Sequence, residues 1–342
     1  MSDSDSRSNT LNLIDADAWR DSMSAPLPVI VQGLGPIGLR IAKAALGDSF
    51  LELVGAVEIN PEMAGEPLSR FVEGAADEIV IRRSLAQARV DALAEGGILL
   101  HCTGSYLDQV SAQIEEALRQ ELHVVSTCEE LSFAHARHPE IAAGLDLLAR
   151  RADRTVVGTG VNPGFLMDAL PASLSSISYG IRSVSVKRVQ DPSRRRVPFQ
   201  QKVGLGLSVA QWEEKRDAGG FGHVGLEESA RLLAYALGWK LIDWRHDMVP
   251  CETPGQELVQ GTLETLEGST FDGHTVRLHF EANAGAGEEY DEIVVDGTPP
   301  LRMRFEGGVF GDDATAAAVL RAARVIPHTR RGLATVLDLP LR

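Results

Sequence analysis

The sequence predicts an α/β chain in two parts: a doubly wound parallel sheet, then a C-terminal α+β domain with a mostly antiparallel sheet. Three observations predict it. A glycine-rich turn joins an apolar strand to a helix in Val29-Ile30-Val31-Gln32-Gly33-Leu34-Gly35-Pro36-Ile37-Gly38. Strand-like and helix-like runs then alternate as far as Gly158, the pattern of a parallel sheet. Beyond Gly180 the composition changes, and strand-like runs follow one another with turn residues between them. At 342 residues the chain is too long for one ordinary core, so two domains are expected.

The glycine turn supplies the first functional reading. Gly33, Gly35 and Gly38 fall in the pattern G-x-G-x-x-G. The first allows a tight turn off the strand, the second lets backbone amides approach a pyrophosphate, and the third lets helix and sheet pack closely. Pro36 and Ile37 then open the helix, where free amides and the helix dipole favour an anion. The next apolar run, Leu51 to Val57, ends at Glu58, twenty residues after Gly38. An acidic residue there hydrogen-bonds ribose hydroxyls and repels a 2′-phosphate, which favours NAD. Arg70, Arg82 and Arg83 keep NADP open. This first part reads as a dinucleotide-binding Rossmann domain over residues 27–170.

The remaining elements follow in order. A polar loop from Asn60 to Gly74 leads to a short strand (Glu78 to Ile81) and a helix (Ser84 to Ala94). Ile98 to Cys102 is a buried strand, and Ser105 is placed to cap the helix running to Gln120. His123 to Ser126, Pro139 to Arg151 and Thr155 to Gly158 read as strand, helix and strand. A substrate-binding α+β domain is expected over 171–310. It holds a strand over Ile181 to Val189 and an amphipathic helix over Leu226 to Leu237. Strands follow at Leu258 to Leu266, His274 to Glu281, Glu292 to Val295 and Leu301 to Phe305, with turn signals at Asp272-Gly273 and Asp296-Gly297. Residues 311–342, with an alanine-rich helix from Asp313 to Val325, are expected to pack back on the first domain.

Composition excludes several classes. A net charge of −15 argues against nucleic acid and anionic membranes as partners. No apolar run is long enough for a transmembrane helix. Residues 1–26 are rich in Ser and Asp and lack a signal core; they read as a disordered extension, with Leu11 to Trp19 a candidate docking segment. Three scattered cysteines, Cys102, Cys128 and Cys251, suggest a reducing cytoplasm, with no disulfide framework and no metal site.

Ligands of doubly wound sheets bind beyond the carboxyl ends of the strands. Thr103 and Gly104 follow one such end and are expected at the cofactor. Glu129 and Glu130 follow another. A carboxylate there can hold a substrate ammonium, stabilise an iminium and activate water; it can equally begin a helix, where negative charge is favoured. Asn162 and Pro163 follow a third end. Asn162 can hydrogen-bond a nicotinamide carboxamide, or sit in an ordinary turn. Arg188, Gln190, Lys202 and His223 are candidates for lining the substrate pocket or for plain surface. Arg194-Arg195-Arg196 reads as a solvated loop and Cys128 as a small core residue. Ser105 lacks the G-x-S-x-G elbow of a hydrolase.

The chain resembles the 2,4-diaminopentanoate dehydrogenases and native amine dehydrogenases of the dihydrodipicolinate reductase-like group. The blocks that carry the resemblance are Gln32 to Gly38, Ser126 to Leu131, Gly158 to Phe165, Gly222 to Ser229 and Gly332 to Pro340. It implies reversible NAD(P)-dependent oxidative deamination of an amine or diamino acid, with a small-molecule amine or carbonyl and ammonia as partners. It implies a catalytic glutamate at Glu130 or its neighbour Glu129, with Glu130 preferred, and a homodimer built on the second sheet. Arg188 and His223 are carried over as pocket lining. Two alternatives stand beside it: a dehydrogenase of the same scaffold acting on a cyclic imine, aldehyde or alcohol, and a non-enzymatic dinucleotide sensor.

Overall fold

The computed structural model describes residues 25–88 and 97–340. The expected N-terminal extension, as far as residue 24, lies outside the described residues, as does the Leu11 to Trp19 segment within it. So does the second half of the helix expected over Ser84 to Ala94.

The first sheet is built from β1 (Leu27–Gln32), β2 (Leu51–Val57), β3 (Ile81–Arg82), β4 (Ile98–His101), β5 (His123–Ser126) and β6 (Thr155–Gly158). They run parallel in the order β6-β5-β4-β1-β2-β3. Every residue of β4, β5 and β6 is buried, as expected for strands covered on both faces. The covering helices are α1 (Pro36–Leu46), the short α2 (Leu85–Ala88), α3 (Leu107–Arg119) and α4 (Pro139–Arg151). The strand expected over Glu78 to Ile81 is only the two residues of β3, because Pro67 to Val80 is spent on turns and one isolated bridge.

A short helix, α5 (Ala169–Ser175), leads into β7 (Tyr179–Gln190). Three helices follow: α6 (Val197–Lys202), α7 (Val209–Ala218) and α8 (Leu226–Ala236). The second sheet is completed by β8 (Asp243–Pro250), β9 (Gly261–Ser269), β10 (Thr275–Asn283), β11 (Tyr290–Thr298) and β12 (Leu301–Glu306), in the order β12-β11-β7-β10-β9-β8. Only the β7–β10 pair is parallel. Alternate residues of its strands (Val184 and Val186; Val276, Leu278 and Phe280; Ile293 and Val295) form one apolar core with α8. Two expectations change here. β8 was not anticipated, because an edge strand of mixed charge carries no apolar alternation. Asp296-Gly297 is no turn but part of β11, where Arg182 Nε donates to Asp296 Oδ2 at 2.9 Å across the sheet.

The chain then returns to the first sheet. α9 (Gly311–Val325) lays Ala316, Val319, Leu320 and Ala323 against the α1 face of its core, and β13 (Gly332–Ala334) pairs parallel with β6 as a seventh strand.

Candidate active site

A cleft of about 360 Å³ opens beyond the carboxyl ends of the first sheet, between it and the second sheet. Its floor is the glycine turn. A Cβ on Gly33 would lie 2.7 Å from the Cys102 carbonyl oxygen, and one on Gly38 would run into the carbonyl of Gly33. These two glycines make the turn; Gly35 has open space where its Cβ would be. α1 begins with Pro36, has no side-chain cap and no acidic residue in its first turn. The amides of Ile37 and Gly38 have no partner among the described residues. An unneutralised helix N-terminus facing an open cradle fits the diphosphate of a dinucleotide. Glu58 stands beside the turn: its Oε2 accepts from Leu34 N–H at 2.7 Å, and its Oε1 from the amides of Ile59 and Asn60. Thr103 and Gly104 line the cleft next to Gly35 to Gly38, and Thr103 Oγ1 donates to Gln113 Oε1 at 2.9 Å.

The two adjacent glutamates separate. Both lie in a tight 3-10 turn, Glu129–Phe133, packed against the end of β6; a Cβ on Gly158 would come within 2.6 Å of its backbone. Successive side chains of that turn point apart. Glu129 lines the cleft, its Oε1 3.4 Å from Lys202 Nζ. Glu130 is 3 % exposed. Its Oε2 accepts from Leu107 N–H at 2.8 Å and faces His138 Nε2 at 2.7 Å, while Oε1 lies 3.6 Å from Arg137. This corrects two expectations. Glu130, preferred as the catalytic residue, does not line the cleft; its carboxylate sits at the N-terminus of α3. Ser105 does not cap that helix, because Glu130 fills the role from another part of the chain.

Asn162 and His223 form the clasp between the sheets. His223 Nδ1–H donates to the Val224 carbonyl at 2.6 Å, which leaves Nε2 to accept from Asn162 Nδ2–H at 2.7 Å. Burial pushes the imidazole down to about 3, so it stays neutral. Its ring packs edge-on to Phe280, 4.3 Å between centroids. Asn162 also meets Met167 Sδ, and its Oδ1 lies 3.3 Å from Ser229 Oγ, which donates to the buried Asp168 at 2.7 Å. Asn162 lines the cleft, but its amide is taken up in holding His223, so the carboxamide contact expected of it has little left to use. Pro163 lines the cleft beside it and faces Gly225, whose φ of +98° opens α8. A Cβ on Gly225 would meet the Pro163 ring at 2.6 Å and Glu129 Cβ at 3.1 Å, so glycine is what lets the two lobes touch here.

Arg188 and Gln190, at the end of β7, both line the cleft. Arg188 is 2 % exposed and its Nε lies 2.9 Å from Asp291. The arginine run is not one solvated loop. Arg194 is exposed beside Glu289, but Arg195 and Arg196 turn into the cleft, where both donate to Asp312 Oδ1, at 2.7 and 2.6 Å. No local pattern could reveal this, since Asp312 lies more than a hundred positions downstream at the start of α9. Cys128 is buried, its thiol pushed up to about 12. Among the described residues no group of His, Cys, Asp or Glu is arranged to hold a metal, and no helix is long and apolar enough to cross a membrane.

The fold and the cleft point to a class: a nicotinamide-dinucleotide-dependent dehydrogenase. Comparisons with known proteins narrow it. Residues 165–253 match the family model of the 2,4-diaminopentanoate dehydrogenase C-terminal domain. The 2,4-diaminopentanoate dehydrogenase of Acetoanaerobium sticklandii is 26 % identical over 341 residues, covering 92 % of this chain and 93 % of that one. Among solved structures, an amine dehydrogenase from Mycobacterium smegmatis superposes with a TM-score of 0.80 at 20 % identity, covering 93 % of this chain and 97 % of that one. GenD2 of gentamicin A biosynthesis, solved with NAD, superposes with a TM-score of 0.52 at 16 % identity, over 83 % and 73 % of the two chains. At these identities the structures show a shared fold. The resemblance drawn from the sequence blocks is borne out.

Proposed function

We propose that the chain catalyses the reversible oxidative deamination of an amine, with Glu129 as its acid–base residue and NAD as its preferred cofactor. The observation that carries this reading is the place of Glu129: a carboxylate lining the cleft along with Thr103, Gly104, Asn162 and the neutral His223, and paired with a lysine. The relatives named for amine and diaminopentanoate substrates support it.

Bound at the glycine turn, the dinucleotide supplies a hydride acceptor. The chain does the rest. Glu129 takes a proton from the substrate ammonium and passes it to solvent, which frees the nitrogen lone pair and restores the carboxylate. As hydride leaves the adjacent carbon, the same carboxylate offsets the positive charge of the iminium. It then takes a proton from the water that adds to that carbon and returns it to nitrogen; as the carbon–nitrogen bond breaks, the hydroxyl proton passes through the same carboxylate to the departing ammonia. Substrate ammonium, water and oxidised cofactor give carbonyl, ammonium, reduced cofactor and one proton. Lys202 anchors Glu129 from the second lobe, so the acid–base residue is positioned only when the lobes are together. His223 and Phe280 form an uncharged wall.

Glu129→Gln is expected to lower kcat by about 10²–10⁴-fold, with the protein folded and still binding NADH; Glu130→Gln keeps most of the kcat. Equal activity of Glu129→Gln and wild type would overturn the assignment. NADH oxidation by a carbonyl without ammonia would favour the alternative dehydrogenase reading.

The preference for NAD rests on Glu58, whose fixed negative charge beside the glycine turn opposes a 2′-phosphate. A homodimer through the face of the second sheet left uncovered by α8 is part of the same proposal. Lys187, Thr265, His279, Glu292 and Val294 alternate with core residues and share that face. Light scattering at twice the chain mass supports it, and a monomer at micromolar concentration refutes it. The three free thiols, two of them buried, fit a reducing cytoplasm.

A further inference from the structure

We infer that the buried His101, together with Gln113, positions the Thr103 hydroxyl as a hydrogen-bond acceptor for the nicotinamide half of the dinucleotide. This rests on the dinucleotide-dependent class and not on the amine substrate. His101 ends β4 and is fully buried. Its ring meets Ser126 at the end of β5, Thr103 just past β4 and Gln113 in α3. Gln32, at the end of β1, joins the cluster through the same Gln113 oxygen at 3.3 Å. Buried polar groups are costly unless they are paired, and the one exposed member of this cluster is Thr103.

The protons of the cluster have one consistent arrangement. Burial pushes the imidazole down to about 4, so it is neutral and carries a single N–H. Gln113 Oε1, 3.1 Å from Nε2, can only accept, so that proton is on Nε2. Nε2–H donates to Thr103 Oγ1 at 2.8 Å, and Thr103 Oγ1–H donates to Gln113 Oε1 at 2.9 Å. On the other side of the ring, Nδ1 accepts from Ser126 Oγ–H at 2.8 Å, and Ser126 Oγ accepts from Cys128 N–H at 3.0 Å. Thr103 lines the cleft with its proton and one lone pair already engaged. What it offers a ligand is its remaining lone pair.

Sheet order decides which half of the cofactor meets that lone pair. β1 lies between β2 and β4. Glu58, past the end of β2, therefore stands on one side of the glycine turn, and Thr103, past β4, on the other. A dinucleotide that straddles the turn with its adenosine ribose at Glu58 brings its nicotinamide riboside to the β4 side. Ribose hydroxyls and the carboxamide N–H are donors, which a fixed acceptor suits. Holding the hydroxyl in advance spares the cost of ordering it on binding. Cys128 directly precedes Glu129, so the same imidazole also ties down the turn that carries Glu129.

The test is calorimetric titration with NADH and with ADP, which lacks the nicotinamide riboside. Thr103→Val is expected to weaken NADH binding about 3- to 10-fold and to leave ADP binding unchanged. His101→Asn keeps an acceptor for Ser126 and loses the donor at Nε2. It is expected to match Thr103→Val, with the double variant no weaker than either. His101→Gln, whose amide can replace the Nε2–H, is expected to retain most of the NADH affinity. Gln113→Leu, at a half-buried position, is expected to show the same selective loss, and it decides the matter if His101→Asn does not fold. Unchanged NADH affinity in Thr103→Val, His101→Asn or Gln113→Leu overturns the proposal. So do additive losses in the double variant, or equal weakening of NADH and ADP in His101→Asn, which would make the histidine merely structural. All of these are binding measurements. A protein that shows the selective losses but no ammonia-dependent NADH oxidation keeps this assignment and loses the deamination reading alone.

Discussion

Glu129 and Glu130 show how much one position matters. Neighbours in a tight turn, one faces the cleft and the other is buried on the end of α3. Glu130→Gln is expected to cost about 1.5–3 kcal/mol, read as a lower Tm, because it removes the charge from three contacts at once. Glu58→Ser is expected to raise the ratio of NADP⁺ to NAD⁺ turnover at least about tenfold, since roughly 1.4 kcal/mol of relieved repulsion suffices; an unchanged ratio removes Glu58 from cofactor selection. Glu228 gives a pH test. It lies buried in α8 with neither oxygen hydrogen-bonded among the described residues, although Arg137 Nε approaches to 3.1 Å without alignment. Burial raises its carboxyl from 4.5 to about 7. A raised carboxyl holds its proton more tightly in the folded state, so its stabilising effect is full below pH 4.5 and is lost as the pH rises through 7. Glu228→Gln is therefore expected to be more stable than wild type at pH 8 in urea unfolding, with the gain vanishing near pH 4.5. A gain that grows toward acid contradicts this.

Elements here are defined by where they must come close. α1 starts on the glycine turn because Gly33 takes a φ of +87° and Gly38 lets the first helical turn sit on the Gly33 carbonyl. Gly38→Ala is expected to cost roughly 2–4 kcal/mol in denaturant unfolding and to weaken NADH binding, because the added methyl can be accommodated only by moving α1. A well-folded Gly38→Ala with wild-type NADH affinity would show that the close approach is not needed. α3 lacks a cap of its own and takes one from the turn that carries Glu129. The element that caps a helix of the first domain thus also presents the proposed acid–base carboxylate, which makes that carboxylate's position a property of packing.

The whole molecule is closed by its C-terminal segment. α9 covers the α1 face of the first sheet, β13 extends that sheet, and Asp312 at the head of α9 holds Arg195 and Arg196. Deleting residues 311–340 uncovers Ile41, Ala42 and Ala45 of α1 and strands two arginines. The expected outcome is an insoluble product with no cooperative thermal transition. A soluble, cooperatively folding product that binds NADH would show the segment to be an accessory.

By itself the sequence determined whatever a local period or spacing controls. Buried parallel strands read as continuous apolar runs, the glycine turn fell at its strand–helix junction, and an acidic residue stood at the end of β2, because each is set within a few residues of backbone geometry. The sheet with mixed charge on its edge strand β8 was only partly legible, since nothing apolar marks that strand. Tertiary structure alone decided which of two adjacent glutamates faces the cleft, that Asn162 is spent on a neutral His223, and that Arg195 and Arg196 turn inward. Each of these depends on a partner distant in sequence, Leu107, His223 or Asp312. Long-range pairing of charges and hydrogen bonds leaves no period in the chain, so only the folded molecule reveals it.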